Sequence, residues 1–453
     1  MKPMRWLLIA WLCGTALGCA QQAVEPVTAP GARAAVATPA LLTLEADALA
    51  LTRQRLASGD AALQGPFAAL KRRADQALLK APRSVTHKTA TPPSGSKHDY
   101  VSMGPYWWPD PTRPDGLPYV QRDGQRNPQS AGNALDSIRL QNMLADVRDL
   151  ALAYHFTSDI RYARHAAAAI RIWFLDPATR MNPHLRFGQS IPGIVDGRGI
   201  GIIDTRDLWL VIDAVALIAP GIAAPTGTSD DGALSAAELR ALRRWFADYA
   251  TWLDTSPLGR DAAAEKNNHG LFYDAQLAAY WLFVGETEKA RRLVVDARTR
   301  RFAAQIDAQG RMPLELARTR PFHYQTFTLD AATRLARYGQ VLAASTRPAG
   351  KWPATDPRCR APEQHPGCPL DLWRGVIDGK SLRAALDFIA GAVVAPASWP
   401  FATALEPAPP LAPALPVLLR AQRSYAARGF DAPLAALQKI APDHVAWLMW
   451  PVP

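Results

Sequence analysis

Apolar residues recur at the three- and four-residue spacing of an amphipathic helix along most of the chain. The clearest windows are residues 134–155, 160–174, 208–218, 235–253, 271–283, 286–306, 328–344 and 418–427. Ser235 followed by Glu238 has the pattern of a capping box, which predicts a helix start at this point. Runs that alternate apolar and polar residues are scarce. The pattern therefore predicts an all-α protein.

Long segments rich in Gly, Pro, Trp and Tyr separate these helical windows. The longest covers residues 97–133 and includes Tyr106-Trp107-Trp108-Pro109-Asp110, and a second covers residues 181–204. Loops of such length inside a folded domain usually serve function. Helices of similar length joined in series predict stacked helical hairpins, which close as a toroid or as a bundle.

The N-terminal residues have the features of an export signal. Lys2 and Arg5 precede an apolar run over residues 6–16, and Gly18-Cys19-Ala20 follows. The segment from Ala16 to Cys19 resembles a bacterial lipobox, which leaves open lipidation of Cys19 or cleavage nearby. We expect a signal peptide over residues 1–19, a tether over 20–42 and a folded domain over 43–453. The expected location is the periplasm, or the outer membrane through a lipid anchor at Cys19.

The composition of the 453-residue chain fits a large folded core and a polyanionic partner. Hydrophobic residues make up 49% and charged residues 20%, which excludes wholesale disorder. The formal net charge of +11 favours binding of nucleic acid, anionic lipid or acidic polysaccharide. The chain has no zinc-finger spacing, aromatic RNA-binding signature or dense basic tract, so we expect no nucleic-acid partner.

Two of the four cysteines lie together in a polar, proline-rich stretch. Cys359 and Cys368 are close enough in sequence for a local disulfide, which an oxidising compartment would favour. A metal site would need further ligands at suitable spacing, and only His365 is near. The sequence therefore predicts a Cys359–Cys368 disulfide, with no metal and no cofactor.

The segment Asn267-Asn268-His269-Gly270 stands directly before a predicted helix. One asparagine is explained as a helix cap. The other residues suggest more, because a helix N-terminus presents free N–H groups and the positive end of the helix dipole. Amide donors and an imidazole at that point could bind a carboxylate and carry a proton.

A second candidate segment runs from Arg318 to Tyr324 and also precedes a helix. In the plainer interpretation, its arginines are solvated and its tyrosine packs in the core. In the functional interpretation, Arg318 clamps a carboxylate while Tyr324 transfers protons. We expect neighbouring cations to favour the phenolate form of Tyr324.

Several motifs, taken in order along the chain, resemble those of the alginate lyase family. They are Lys97-His98-Asp99-Tyr100, the Pro105–Pro111 segment, Arg122-Asp123-Gly124, Asn127-Pro128, Gln189-Ser190-Ile191-Pro192-Gly193, Gly197-Arg198-Gly199, and the Asn-Asn-His and Arg-Thr-Arg…Tyr segments. The similarity covers roughly residues 97 to 335. It implies an α/α toroid, an incomplete barrel of about six or seven helical hairpins, with an acidic polysaccharide in its cleft.

The resemblance also implies a catalytic set of Asn268, His269, Arg318 and Tyr324. Asn268 and Arg318 would neutralise a uronate carboxylate, and Tyr324 would protonate the leaving oxygen. The base would be His269 for one sugar epimer and Tyr324 for the other. The best-known family members continue Asn-Asn-His with a Ser-Tyr-Trp type of sequence, whereas this chain continues with Gly270. Alginate and related polyuronates such as glucuronan both stay open as substrates.

Further residues are candidates for substrate contact around this set. They are Asn267, Tyr106, Trp107, Trp108, Arg122, Gln189 and Arg198. The aromatic residues would stack on sugar rings or hold a loop in place, and the arginines would bind substrate carboxylates or form salt bridges.

Two other function classes remain as alternatives to a lyase. A glycoside hydrolase on a toroid would need two acids that flank the scissile bond, and no acidic pair in the sequence has that pattern. A non-catalytic lipoprotein that binds acidic glycans would not need both His269 and Tyr324. We therefore expect a polysaccharide lyase that cleaves a 1,4-linked polyuronate by β-elimination.

Overall fold

The computed structural model describes residues 39–219, 233–344, 368–425 and 429–452. Its helices are α1 Ala46–Ala57, α2 Ala61–Leu78, α3 Ser137–Thr157, α4 Ile160–Ile170, α5 Trp209–Ile218, α6 Ala236–Thr255, α7 Pro257–Ala264, α8 Asn268–Val284, α9 Thr287–Ala297, α10 Pro313–Leu316, α11 Pro321–Ala344, α12 Leu382–Val394, α13 Ala414–Ser424, α14 Asp431–Ile440 and α15 Ala446–Met449. Its strands are β1 Val101–Met103, β2 Trp107–Trp108, β3 Val120–Gln121, β4 Phe187–Ser190, β5 Val376–Ile377 and β6 Lys380–Ser381.

The helices form an α/α toroid with an inner and an outer layer. Around the inner layer α2, α3, α5, α8, α11, α13 and α15 follow one another, and α15 contacts α2 again. Helices α4, α6, α9, α12 and α14 pack outside them. The inner helices α5 and α8 are buried on nearly all sides, which explains why they are apolar around the whole helix.

Aromatic packing between the two layers forms a large part of the core. Phe246 of α6 lies 5.3 Å from Tyr280 and 5.2 Å from Phe283 of α8, measured between ring centroids. Tyr249, one turn further along α6, lies 5.7 Å from Tyr280. Such rings bury large apolar areas and fix the position of α8, whose first residues belong to the candidate site.

Local signals predicted the helices well. Ser235 forms the predicted capping box with Glu238 at the start of α6. The windows 160–174 and 286–306 each contain an α-helix that continues into a π-helical turn, over Arg171–Leu175 and Arg298–Ala303. The helix predicted over residues 418–427 begins earlier, as α13.

The two long segments without helical period contain short strands that join them. Strand β1 pairs in parallel with β4, with Val101 opposite Phe187 and Met103 opposite Ser190. Strand β2 pairs antiparallel with β3, so Trp107 lies opposite Gln121. The strand pairing brings the loop at 97–133 and the loop at 181–204 into contact, which the sequence pattern did not predict.

Several predicted features lie wholly or partly outside the described residues. These are the signal peptide, Cys19, most of the tether and Cys359. Cys368 is buried and disulfide-bonded, but its pairing with Cys359 stays a prediction. Within the described ranges, no helix combines the length and apolar character that crossing a membrane requires.

Asp213 of α5 holds the beginning of the described chain against the inner layer. Its carboxylate accepts hydrogen bonds from the backbone N–H groups of Leu42, Thr43 and Leu44, at 2.7, 3.0 and 2.8 Å. All four residues are buried. The Asp213 carboxylate thus provides acceptors for three buried backbone N–H groups of a segment that is distant in the sequence.

We predict that Asp213→Ala lowers the free energy of unfolding by at least about 3 kcal/mol, because it leaves buried N–H groups without an acceptor. Denaturant titration followed by circular dichroism measures the change. The matched control is Asp387→Ala, which breaks an exposed pair with Arg383 on α12 and should change stability by less than about 0.5 kcal/mol. Equal losses in the two variants would contradict the role given to Asp213.

Candidate active site

The N-terminus of α8 carries the Asn-Asn-His segment. Asn267 is the N-cap, and its side-chain oxygen accepts from the backbone N–H of His269 at 3.0 Å. Its side-chain nitrogen donates to Glu265 at 3.1 Å. Both ends of the Asn267 amide are therefore used within the protein, so the capping interpretation accounts for this residue. Its contact with substrate stays a prediction.

A buried ion pair holds the chain that leads into this helix start. Arg301 donates through Nε to the Asp274 carboxylate at 2.7 Å, and both side chains are almost fully buried. The other nitrogens of Arg301 donate to the carbonyl oxygens of Glu265 and Ala263, at 2.6 and 2.7 Å. The guanidinium thus connects the middle of α8 to the segment just before its N-terminus.

Gly270 is required by the close approach of these groups. A Cβ atom at this position would lie 2.1 Å from the Glu265 carbonyl oxygen and 2.4 Å from Nη1 of Arg301. A side chain would displace either the backbone or the guanidinium. Arg301 can therefore occupy its observed position only because a glycine follows Asn-Asn-His in this chain.

Asn268 is held by Glu315 of α10. The backbone N–H of Asn268 donates to Oε1 of Glu315 at 2.6 Å, and its side-chain Nδ2 donates to Oε2 at 2.9 Å. Both residues are buried, with 1% and 2% of their surface exposed. The two bonds fix the orientation of the Asn268 amide, because only its nitrogen end can donate to a carboxylate.

Arg318 and Tyr324 form one cluster with residues from the long loop at 97–133. Arg318 donates to both carboxylate oxygens of Asp123, at 2.6 and 3.2 Å, and to the Tyr324 hydroxyl at 2.9 Å. The Tyr324 hydroxyl donates to the hydroxyl of Tyr106 at 2.8 Å. The Arg318 guanidinium carbon also lies 3.9 Å from the centroid of the Tyr324 ring.

The environment of Tyr324 differs from what the sequence predicted. Burial raises the pKa of Tyr324 well above its usual value, and the hydrogen bond with Tyr106 acts in the same direction. Arg318 lowers this pKa, as predicted for a neighbouring cation, but Asp123 acts against it. Arg318 therefore acts on the phenolate in the predicted direction, but burial outweighs it, so the net pKa shift of Tyr324 in the free protein is upward. Tyr324 is a protonated hydrogen-bond donor.

His269 is neutral and surrounded by cations. Burial lowers its pKa to about 3, and the charges of Arg198, Arg318 and Arg206 act in the same direction. Its Nδ1 atom is inaccessible and has no hydrogen-bond partner in the described part of the chain. A buried ring nitrogen without a partner costs free energy. A hydrogen bond with the Ile200 backbone acts to raise the pKa of His269, but burial and the three arginines outweigh it.

The two tryptophans predicted to contact substrate each face an arginine. The Arg122 guanidinium lies 5.4 Å from the Trp108 ring, and that of Arg198 lies 5.8 Å from the Trp107 ring. Trp108 also donates to the Gln125 carbonyl oxygen at 2.9 Å. Trp108 therefore helps to hold its own loop, and each indole has one face next to an arginine, which leaves stacking on sugar rings as a prediction for the remaining faces.

Gln189 lies beside Arg198 and takes a left-handed backbone conformation, with φ of 50°. Its backbone N–H donates to the Ser102 hydroxyl at 2.7 Å, across the β1–β4 pairing. Its side-chain nitrogen donates to Asp204 at 3.0 Å, and its side-chain oxygen accepts from Arg198 at 3.2 Å.

The structure thus brings Asn268, His269, Arg318 and Tyr324 to one region, since Arg318 contacts Tyr324 and its charge acts both on His269 and on the Glu315 that holds Asn268. Their catalytic roles stay a prediction. Sequence reasoning assigned no role to the partners that orient them. The motif Arg122-Asp123-Gly124 contained Asp123, but nothing local indicated that it pairs with Arg318. Glu315 stood near Arg318 in sequence without any sign of its contact with Asn268. Among the described residues, no group of three or more His, Cys, Asp or Glu side chains could hold a metal ion.

Comparisons with known proteins agree with this architecture. A sequence model of the alginate lyase family matches residues 84–347. The structure of an alginate lyase from Bacteroides ovatus is 33% identical, with a TM-score of 0.77, and the match covers 92% of this chain and 100% of that one. Alginate lyase A1-III from Sphingomonas species A1 shares the fold at 16% identity, with a TM-score of 0.52 over 89% of this chain and 95% of that one. The search of curated proteins found no match.

The family match covers more than half of the chain and includes all four residues of the predicted catalytic set. The similarity to the Bacteroides ovatus structure extends over nearly the whole length of both proteins. The chain therefore belongs to the alginate lyase family of polysaccharide lyases.

Proposed function

We propose that this protein cleaves a 1,4-linked uronic-acid polymer, alginate or a related polyuronate such as glucuronan, by β-elimination. The observation that carries the proposal is a neutral histidine and a protonated tyrosine held among arginines at one site. An unprotonated base and a proton donor are the two groups that elimination needs. The name of the Bacteroides ovatus relative supports alginate as the first substrate to test.

The first requirement is to make the proton on C5 of the uronate acidic enough to remove. The C6 carboxylate next to it carries a negative charge, which opposes formation of a carbanion. In the proposal, Asn268 and Arg318 donate to this carboxylate and stabilise the enolate-like intermediate. Among the described residues, no partner occupies Nη1 of Arg318 or the second hydrogen of the Asn268 amide, and the protein partners described above hold their other side-chain donors.

The elimination itself moves one proton to a base and another from an acid. His269 takes H5, the electrons of that C–H bond form the C4–C5 double bond, and the bond between C4 and O4 breaks. Tyr324 gives its proton to the departing O4, so the product is an unsaturated uronate and a shortened chain. Tyr106 accepts from Tyr324 in the free protein and holds its hydroxyl in place.

The pKa directions favour this division of roles. Burial and nearby arginines keep His269 unprotonated, whereas burial keeps Tyr324 protonated. Two groups whose environments push their pKa values apart are typical of an acid and base pair. For a sugar epimer that presents H5 to the tyrosine, Tyr324 would serve as the base as well. It would first have to lose its own hydroxyl proton, and this requires the charge of Arg318 to lower the pKa of Tyr324 more strongly than it does in the free protein.

In the part of the chain that the structure describes, the two acids that contact the predicted catalytic set are both engaged by it, which disfavours the glycoside hydrolase alternative. Both oxygens of Glu315 accept from Asn268, and both oxygens of Asp123 accept from Arg318. A catalytic acid and base for hydrolysis must be available to the glycosidic oxygen and to water. Carboxylates bound in this way position other groups instead.

The proposal includes export from the cytoplasm. The charged start, apolar run and Cys19 of the sequence support a signal peptide, with a lipid anchor at Cys19 as the finer proposal. A location in the periplasm or on the outer membrane would give the protein access to polysaccharide chains.

A substrate screen tests the proposed function directly. We predict that the protein releases unsaturated uronate from at least one of alginate, its mannuronate and guluronate blocks, and glucuronan. Chromatography with detection of the unsaturated product separates elimination from hydrolysis, which shortens chains without forming a double bond. Hyaluronan serves as a uronate-containing comparison. Chain shortening without unsaturated ends would support the hydrolase, and binding without cleavage would support a non-catalytic protein.

We predict that Tyr324→Phe lowers kcat by roughly 10²–10⁴-fold, because it removes the proton donor but keeps the ring. Steady-state rates on the best substrate and thermal unfolding are measured together. The matched control is Tyr162→Phe, which removes a hydroxyl that donates to Asp75 between α4 and α2. It should leave kcat unchanged. Near-normal turnover of Tyr324→Phe would show that Tyr324 only packs.

We predict that kcat/KM shows no ionisation near the ordinary histidine value of 6.5 between about pH 5 and 8. The lowered pKa of His269, about 3, keeps the base form present at every pH above that value. Its contribution is lost only as the pH falls through about 3. The profile of kcat/KM reports the free enzyme. An acid limb centred near 6.5 that disappears in His269→Gln would contradict the environment described for this residue.

A further inference from the structure

Arg198 is a partly buried cation beside the candidate active site. Its Nε donates to the Gln189 carbonyl oxygen at 3.0 Å, and its Nη2 donates to the Gln189 side-chain oxygen at 3.2 Å. No carboxylate in the described ranges lies within ion-pair distance of it, and its Nη1 has no hydrogen-bond partner there. A guanidinium partly removed from water in this way is costly unless an anion binds it.

Two carboxylates of this region, Asp204 and Asp123, are bound by other groups. Asp204 accepts from Tyr100 at 3.1 Å, from Ser102 at 2.5 Å and from Gln189 at 3.0 Å. Asp123 is paired with Arg318. Arg318 therefore has a direct protein counter-ion, whereas Arg198 donates hydrogen bonds only to Gln189. Burial lowers the pKa of Arg198, and the negative charge of Asp204 acts in the opposite direction from beyond ion-pair distance.

The surroundings of Arg198 hold its guanidinium in one place. The ring of Trp107 faces it, at 5.8 Å from the guanidinium carbon. A Cβ atom on Gly104 would lie 2.7 Å from Nη2 of Arg198 and 2.6 Å from the Trp107 ring, so only glycine leaves room for both groups. A guanidinium fixed by Gln189 and Trp107 loses little freedom when it binds an anion.

We propose that Arg198 binds the carboxylate of the uronate next to the one that is cleaved, so that the enzyme recognises two consecutive acidic sugars. This inference rests on the proposed function. In the proposed function, Asn268 and Arg318 bind the carboxylate of the cleaved unit. Tyr106 contacts Tyr324, and the next residue in the chain, Trp107, faces Arg198. The two clusters therefore lie side by side, as adjacent sugar units require.

The position of Arg198 also links binding to catalysis. Its charge is one of the causes that hold the pKa of His269 low in the free protein. A substrate carboxylate bound to Arg198 offsets that charge, so the basicity of His269 rises when the substrate is in place. A neighbouring sugar without a carboxylate would bind more weakly and would leave His269 a poorer base.

Polyuronate in which carboxyl groups have been reduced at random to alcohols, in graded amounts, tests the proposal. For each polymer, kcat/KM is plotted on logarithmic axes against the fraction of carboxylates that remain. The slope of this plot gives the number of substrate carboxylates that must be present together for the enzyme to act. We expect the slope to decrease by about one in Arg198→Gln, because one charge contact is removed. Arg198→Lys keeps the charge and should keep most of the slope, at a lower kcat/KM.

The matched control is Arg243→Gln. It removes an arginine of the outer helix α6 that faces the ring of Phe283 in α8, and it should leave the slope unchanged. Where turnover is too slow, affinities for the same polymers are compared by calorimetry in Tyr324→Phe with and without Arg198→Gln. An unchanged slope, or an equal affinity loss on carboxyl reduction in both proteins, overturns the inference. If the wild-type protein releases no unsaturated product from unmodified polymer, the proposed function fails instead.

Discussion

The candidate site depends first on the buried ion pair between Asp274 and Arg301. Asp274 lies within α8. Arg301 donates to the Asp274 carboxylate and also to the carbonyl oxygens of Ala263 and Glu265. The start of α8, with Asn268 and His269, is placed by that connection. Breaking a buried pair by removing one partner typically costs about 3–5 kcal/mol, because the other charge stays buried. The helix start is therefore rigid before any substrate binds, and Gly270 is the residue that allows the approach.

Charge compensation divides the arginines of the site into two kinds. Arg318 is bound to Asp123 and orients Tyr324, so its charge is largely balanced within the protein. Arg198 donates hydrogen bonds only to Gln189, and the charge of Asp204 acts on it from beyond ion-pair distance. Burial and the same positive surroundings keep His269 unprotonated, while burial keeps Tyr324 protonated. A basic protein thus holds a neutral histidine and a neutral tyrosine in one region, which suits the acid and base roles proposed for them.

Much of the site was predictable because its motifs are local. Asn268 and His269 are adjacent, and Arg318 and Tyr324 lie within one turn-and-helix segment. Their partners were not predictable in this way. Asp123 and Arg318 are 195 positions apart, and Asn268 and Glu315 are 47 apart. No periodicity or cap connects residues at such separation, so their contacts follow from how the helices and loops pack.

The sequence by itself determined the helices, the cap at Asn267 and the family motifs, because helix formation and capping depend on residues three or four positions apart. It also determined which side chains could carry the chemistry. Only the tertiary structure decided the pairing of β1 with β4, the assignment of counter-ions among Asp123, Arg318 and Arg198, and the protonation of Tyr324. The reason is physical: burial and the distances between charges arise from contacts across the fold, and they set a pKa more strongly than neighbours along the chain do.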